Sequence, residues 1–205
     1  PPQSREVARA RAQLRQLACP TVALRGAELS PLAQELAPDF DLVVASRAEL
    51  AELCAVFERR PLASLALVQL LRLSERLDVH AGLIAESLVY STLQAGPEFA
   101  AWASERPTPR PPRPAVGPAL IVLREEDRLL LTFNRPERHN AFSSELRDAL
   151  VEALQLALGD PSLVEIVLRG AGSSFCSGGD LGEFGSLPDP TTAHAVRSTR
   201  SAGRL

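Results

Sequence analysis

The chain has 205 residues, 45% hydrophobic, 23% charged and 4% aromatic, which excludes disorder as its overall state and allows one large or two small domains. Its formal charge is −3, with 11 Arg against 13 Asp and Glu in residues 1–106 and 11 against 12 in the rest, so neither half offers a basic surface to nucleic acid or an anionic membrane. The longest apolar runs, such as Leu65–Val68 and Ile84 to Val89 with Glu86 inside it, fall far short of the roughly 18 residues of a membrane span.

The sequence opens Pro1-Pro2 and holds no Met, so it is expected to be part of a longer translation product, and its start lacks the charged-then-apolar order of a signal peptide. Ser4 to Leu17 is rich in Arg and Ala, with Val7, Leu14 and Leu17 at helical spacing. Ser30-Pro31 supplies an N-cap followed by a first-turn proline. Ser46-Arg47-Ala48-Glu49 has the spacing of a capping box and opens a helix with Leu50, Leu53 and Phe57 on one stripe. Pro61 begins another helix reaching about Leu77, and a longer helical stretch from about Val79 to Trp102 is interrupted or kinked at Gly96-Pro97. Residues 1–104 therefore read as an all-α domain. Six prolines in 107–118 remove backbone donors and hold each preceding residue extended, so 105–118 reads as a linker.

Beyond the linker the period changes. Leu120–Leu123 and Leu129–Phe133, around a charged turn at Glu125–Arg128, predict a β-hairpin whose turn lacks the favoured Asn-Gly. Ser143 to Leu158 predicts an amphipathic helix, and Glu165 to Arg169 a short strand. Strand, helix and strand in that order predict a crossover unit in an α/β sheet. Thr191 to Arg197 reads as helical, and the sequence stops at Leu205 without a cap, as expected of a cut chain. Cys19, Cys54 and Cys176 are odd in number, widely spaced and without a CxxC, so neither a disulfide framework nor a metal site is expected and a reducing cytoplasm fits best.

Two segments carry chemistry: Asn134-Arg135-Pro136-Glu137-Arg138-His139-Asn140-Ala141-Phe142, and Gly170-Ala171-Gly172-Ser173-Ser174-Phe175-Cys176-Ser177-Gly178-Gly179-Asp180-Leu181. In this order, one helix and one strand apart, they resemble the paired motifs of the enoyl-CoA hydratase/isomerase (crotonase) superfamily. The resemblance covers residue 119 to about 205. It implies an α/β, crotonase-like and incomplete fold over 119–205 and says nothing by itself about the first hundred residues, where the N-terminal all-α domain rests on helical spacing and caps alone.

The resemblance also implies an acyl-CoA substrate, with coenzyme A as part of that substrate and no further cofactor, and a homo-oligomer, trimeric or hexameric. Gly179 would lend its backbone N–H to the oxyanion that develops on the thioester carbonyl. A turn at Ser177-Gly178-Gly179 lets backbone approach a ligand, and a helix starting at Asp180-Leu181 would add the field of its N-terminus. Glu137, Arg138, His139 and Ala141 would lie against the CoA nucleotide and pyrophosphate, with Arg138 on a phosphate; a solvated surface arginine is the competing reading. Asn140 would fix its loop, Asp180 would make local hydrogen bonds, and Cys176 reads as a small buried thiol. His194 reads as a surface histidine, with a place near the acyl pocket as the alternative.

The second oxyanion donor and the acid–base carboxylates of the family lie beyond the matched motifs, so the isolated chain is expected to be inactive, and Glu183 and Asp189 cannot replace those groups. A cofactor-independent acyl-CoA dioxygenase on the same fold, suggested by Ser91–Phe99, is one alternative. A non-catalytic crotonase-like protein whose helical part serves interaction or oligomerisation is another. The expected linker makes a test: limited proteolysis with a broad-specificity protease, not trypsin, whose cut after each of these arginines the following proline blocks, should cleave first near Arg106, Arg110 or Arg113. Protection of all three, with cuts inside the flanking regions, would move the boundary.

Overall fold

The computed structural model describes residues 2–26, 30–106, 117–187 and 189–205; most of the proline-rich linker, residues 107–116, lies outside them. The chain divides into two units, Pro1–Ala103 and Ser104–Leu205.

The first unit contains helices α1 (Pro2–Gln16), α2 (Pro31–Leu36), α3 (Arg47–Arg59), α4 (Pro61–Ser74) and α5 (Val79–Gln94), while α6 (Pro97–Glu105) runs across the division. Local side-chain caps start three of them, α2, α3 and α5. Ser30 Oγ accepts the Ala33 N–H at 3.2 Å, and the Asp78 carboxylate accepts that of Ala81 at 2.7 Å. Ser46 Oγ accepts the Glu49 N–H at 3.2 Å while the Glu49 carboxylate reaches back to the Ala45 N–H at 2.8 Å. No local side chain caps α4; Glu98 does so from α6, accepting the Leu62 and Ala63 N–H groups at 2.7 and 3.0 Å.

One feature of this unit differs from the sequence reading, and one ambiguity in it is resolved. The unit is not all-α, because strands β1 (Val22–Leu24) and β2 (Leu42–Val44) pair in parallel with Val22 opposite Leu42. Three-residue strands are too short to display an alternating pattern, so only tertiary pairing reveals them. The stretch from Val79 to Trp102 is two helices, since the Gly96 N–H closes on the Leu93 carbonyl at 3.0 Å and Pro97 begins α6 with a fresh first turn.

In the second unit β3 (Leu120–Glu125) runs antiparallel to β4 (Arg128–Phe133), and β4 runs parallel to β5 (Glu165–Gly170), giving the order β3-β4-β5. Glu126 turns the hairpin at φ +54°, and the Arg124 guanidinium donates to its carbonyl at 3.0 Å. Helix α7 (Ser144–Leu158) makes the crossover from β4 to β5, with Ser143 Oγ capping it through the Leu146 N–H. Its Leu146, Leu150, Ala153 and Ala157 pack on Leu129, Leu131 and Phe133 of the central strand, and Leu131 and Leu146 are wholly enclosed. Burying each such leucine contributes roughly 2 kcal/mol. A short helix, α8 (Pro190–Thr199), starts on an Asp189 cap. Among the described residues no helix is long and apolar enough to cross a membrane.

One polar cluster holds the first unit together. Asp41, at the foot of β2, accepts both the N–H and the hydroxyl of Thr21 at 2.7 Å, and the Arg72 guanidinium of α4 grips it at 2.8 and 2.6 Å. The same guanidinium donates to the Leu17 and Cys19 carbonyls at 2.6 and 3.0 Å, joining α4 to the segment between α1 and β1. Burial pushes the Asp41 carboxyl upward, but the bonds from Arg72 and Thr21 together with the Arg72 charge outweigh it and hold the pKa at about 2. A folded-state pKa below the unfolded one stabilises the fold at neutral pH, and this is lost as pH falls through the folded value. The first unit, followed by the fluorescence of its single tryptophan, Trp102, should therefore lose about 2 kcal/mol between pH 4 and pH 2. Asp41→Asn should weaken it at neutral pH and flatten that dependence.

Candidate functional site

The two motif segments leave the C-terminal ends of adjacent parallel strands, β4 and β5, so the sheet delivers both loops to one place. After β4 the chain makes a 3₁₀ turn at Pro136–Arg138 and then places His139 and Asn140 at φ +50° and +54°. The wholly buried Asn140 amide joins the loops. Its Oδ1 accepts the Arg135 N–H at 2.8 Å, and its Nδ2 donates to the Ala171 and Ser174 carbonyls at 2.9 and 2.7 Å. Only glycine fits at 170, where a Cβ would fall on the Ser174 and Phe175 carbonyl oxygens and lie 2.7 Å from Asn140 Nδ2.

Further out the loops pair as a single parallel bridge between Phe142 and Gly179. The Phe142 N–H donates to the Gly178 carbonyl at 2.8 Å, and the Asp180 N–H donates to the Phe142 carbonyl at 3.0 Å. Gly178 adopts φ +96°, a conformation that glycine reaches without strain. The exposed Gly179 N–H donates to none of the described residues. The ring of Phe184 lies against Gly179, 3.0 Å from where a Cβ would stand.

Charge locks the bridge. The Asp180 carboxylate, buried, meets Arg135 Nη2 at 2.9 Å and Arg138 Nη1 at 3.2 Å, and accepts the Gly182 N–H at 3.0 Å. Burial raises the Asp180 pKa, but the Gly182 N–H, the Arg135 bond and the charges of both arginines outweigh it, so the pKa lies below the usual carboxylate range. Arg135 also donates to the Ala141 carbonyl at 2.8 Å. Glu183 caps α7 from across the site, accepting the Ser144 N–H at 2.7 Å. The helix foreseen after Asp180 is only a 3₁₀ turn, Leu181–Glu183, because Gly182 and then Gly185, at φ +75°, interrupt it; the expected dipole field of a full helix is absent.

The structure brings Arg138, Ala141, Ser177, Gly178, Gly179 and Asp180 together around the bridge. Ser177 Oγ reaches the Arg138 carbonyl at 3.5 Å, and the Arg138 guanidinium turns inward to Asp180. Glu137 points into solvent, His139 is exposed with Nδ1 3.4 Å from Ser174 Oγ, and Leu181 is half exposed beside the bridge. Cys176 is half-buried and packs against the core, with its sulfur 3.4 Å from the Gly178 N–H. His194 meets Ser198 one turn along its own helix. Arg135 was part of the motif but carried no role in the sequence reading; a cation in one loop and the single carboxylate of the other was the signal available. No cluster of His, Cys, Asp and Glu able to hold a metal occurs among the described residues.

Residues 125–199 match the family model described as enoyl-CoA hydratase/isomerase, which places the match wholly within the second unit. The chain is 41% identical over 69 residues to the "Probable enoyl-CoA hydratase EchA14" of Mycobacterium tuberculosis, covering 33% of this chain and 27% of that one. It is 42% identical over 78 residues to the 2,3-dehydroadipyl-CoA hydratase of Escherichia coli, covering 38% and 31%. Among solved structures, an enoyl-CoA hydratase from Mycobacterium tuberculosis shows 40% identity over 32% of this chain and 29% of its own, with a TM-score of 0.31. The chain thus spans about 30% of the length of these relatives.

Asn140→Ala should be among the most damaging single changes in either loop. It leaves one N–H and two carbonyls unsatisfied where water is excluded and puts Ala at positive φ, a loss of about 3 kcal/mol or more. A melting temperature within a degree or so of wild type would show that the amide does not hold the loops.

Proposed function

Residues 125–199 match the enoyl-CoA hydratase/isomerase family model, and from that match we propose that this protein is a member of that family, binds an acyl-CoA thioester and stabilises the enolate-like oxyanion that forms on its carbonyl. The observation that carries this reading is the Gly179 N–H: exposed, unpartnered among the described residues, and set on a peptide whose carbonyl is tied to Phe142. A donor held in place before the reaction costs no reorganisation when negative charge develops beside it. The acyl group lies against Phe184 and the Gly178–Gly179 backbone, and Leu181 offers apolar surface beside it. The nucleotide end lies along Glu137, Arg138 and His139.

Arg138 suits a phosphate because Asp180 keeps Arg135 as a second cation. Swinging Arg138 outward leaves the buried carboxylate paired at 2.9 Å. The acid and base for proton transfer come, on this reading, from outside the matched segment, since Glu183 and Asp189 are occupied as helix caps. Coenzyme A enters as part of the substrate. A homo-oligomer in the cytoplasm, as for the resemblance set out above, completes the proposal.

Two measurements test it. Gly179→Pro removes the donor, so acyl-CoA turnover by the full-length protein should fall about 10²–10³ fold while circular dichroism and melting stay as in wild type. Full turnover in a folded Gly179→Pro would overturn the oxyanion role, and no turnover or binding of any thioester by wild type would favour the non-catalytic alternative. Arg138→Ala should weaken CoA more than dephospho-CoA, by about 1–3 kcal/mol, if the guanidinium reaches the 3′-phosphate. Equal weakening of both would place it on the pyrophosphate, and no change in either would leave it a partner of Asp180 alone.

A further inference from the structure

We infer that Arg135 is a positioning residue for the Gly179 N–H, acting through a relay of two peptide groups; the inference rests on the acyl-CoA reading above. The relay starts at the guanidinium, whose Nη1 donates to the Ala141 carbonyl at 2.8 Å. The other end of that same peptide is the Phe142 N–H, which donates to the Gly178 carbonyl at 2.8 Å. The other end of the next peptide is the Gly179 N–H itself.

Neither peptide is cis, and in a trans peptide the C=O and N–H point in opposite directions. Each hydrogen bond therefore fixes the direction of the next dipole, and the two together aim the Gly179 N–H away from Phe142 and out of the bridge. The Asp180 N–H, bonded to the Phe142 carbonyl at 3.0 Å, holds the backbone on the far side of Gly179. The guanidinium cannot drift, because its side chain is 12% exposed and Asp180 holds its other arm at 2.9 Å.

Direction is half of the effect. A cation on the Ala141 oxygen draws electron density toward it and makes the Phe142 N–H a stronger donor; that bond polarises the Gly178–Gly179 peptide in the same sense. Hydrogen bonds in chains strengthen one another by about 10–30% per bond. The Gly179 N–H thus meets a developing oxyanion as a stronger donor than an isolated amide. Arginine suits the role because one planar fork reaches the Ala141 carbonyl and the Asp180 carboxylate at once, whereas a lysine ammonium is a single point of charge.

The experiment combines amide NMR with kinetics on the intact protein. In wild type, a coupling across the hydrogen bond between the Phe142 amide nitrogen and the Gly178 carbonyl carbon should be visible. Its absence overturns the relay without any variant. Arg135→Gln should move the Gly179 amide proton upfield in the ligand-free protein while amides of α8 stay in place, and Arg135→Lys should keep part of the wild-type position. With acyl-CoA substrates, Arg135→Gln should lower kcat about ten-fold and leave KM within about two-fold, since the N–H is weakened rather than removed. A lower melting temperature with the Gly179 amide and kcat unchanged would make Arg135 a structural residue only and overturn the inference. Failure of the underlying reading looks different: acetyl-CoA would then leave the wild-type Gly179 amide where CoA alone leaves it, while the coupling and the ligand-free shift would still decide the relay.

Discussion

Three hydrogen bonds made by one enclosed amide set the relation between the two loops of the second unit. Strands β4 and β5 bring the loops side by side, but a sheet ends where its ladder ends, and beyond Phe133 and Gly170 the backbone groups need other partners. Asn140 answers with a carbonyl toward its own loop and an amino group toward the other, inside a space that admits no solvent. Asparagine is also among the few residues that accept the left-handed backbone found there. With that joint made, the Phe142–Gly179 bridge falls into register, and the buried Asp180 comes within reach of two arginines.

What could be read in the sequence was local. Ser46 with Glu49, Ser30 before Pro31, and Ser143 before α7 announce helix starts because a cap and its target lie three residues apart. The hairpin and the crossover followed from a change of period, and the motif glycines from positions where backbone must turn or approach closely. What escaped was non-local. Glu98 caps a helix 36 residues away, Glu183 one 39 residues away, and Arg135 pairs with an aspartate 45 residues on. No spacing rule encodes such partners. The pair β1 and β2 was hidden for a related reason, since three residues are too few to display an alternating pattern, and the turn after Asp180 fell short of a helix because Gly182 and Gly185 favour other conformations.

The two units solve a similar problem with the same side-chain chemistry. In the first, Arg72 grips Asp41 and two carbonyls; in the second, Arg135 grips Asp180 and one carbonyl. Each guanidinium neutralises one carboxylate and still has donors left to satisfy main chain. All 22 basic residues of the chain are arginine. That inventory reads first as composition, yet at these two positions the planar fork is what the geometry uses, and the flexible single point of a lysine could not replace it without leaving acceptors bare.

Gly170 gives a different kind of consequence. Its missing methyl is space already filled by two carbonyl oxygens and the Asn140 amide, so every other amino acid is refused there for want of volume. In a library of all single substitutions scored by activity, every replacement at position 170 would score as blank, and on the proposed oxyanion role so would proline at position 179, which removes the N–H. They would part company once protein abundance was scored separately. Variants at 170 would vanish from the cell, whereas on the proposed role a folded Gly179→Pro would accumulate as idle protein. A blank column in such a map is thus ambiguous between a place where chemistry happens and a place where the chain merely passes too close to itself.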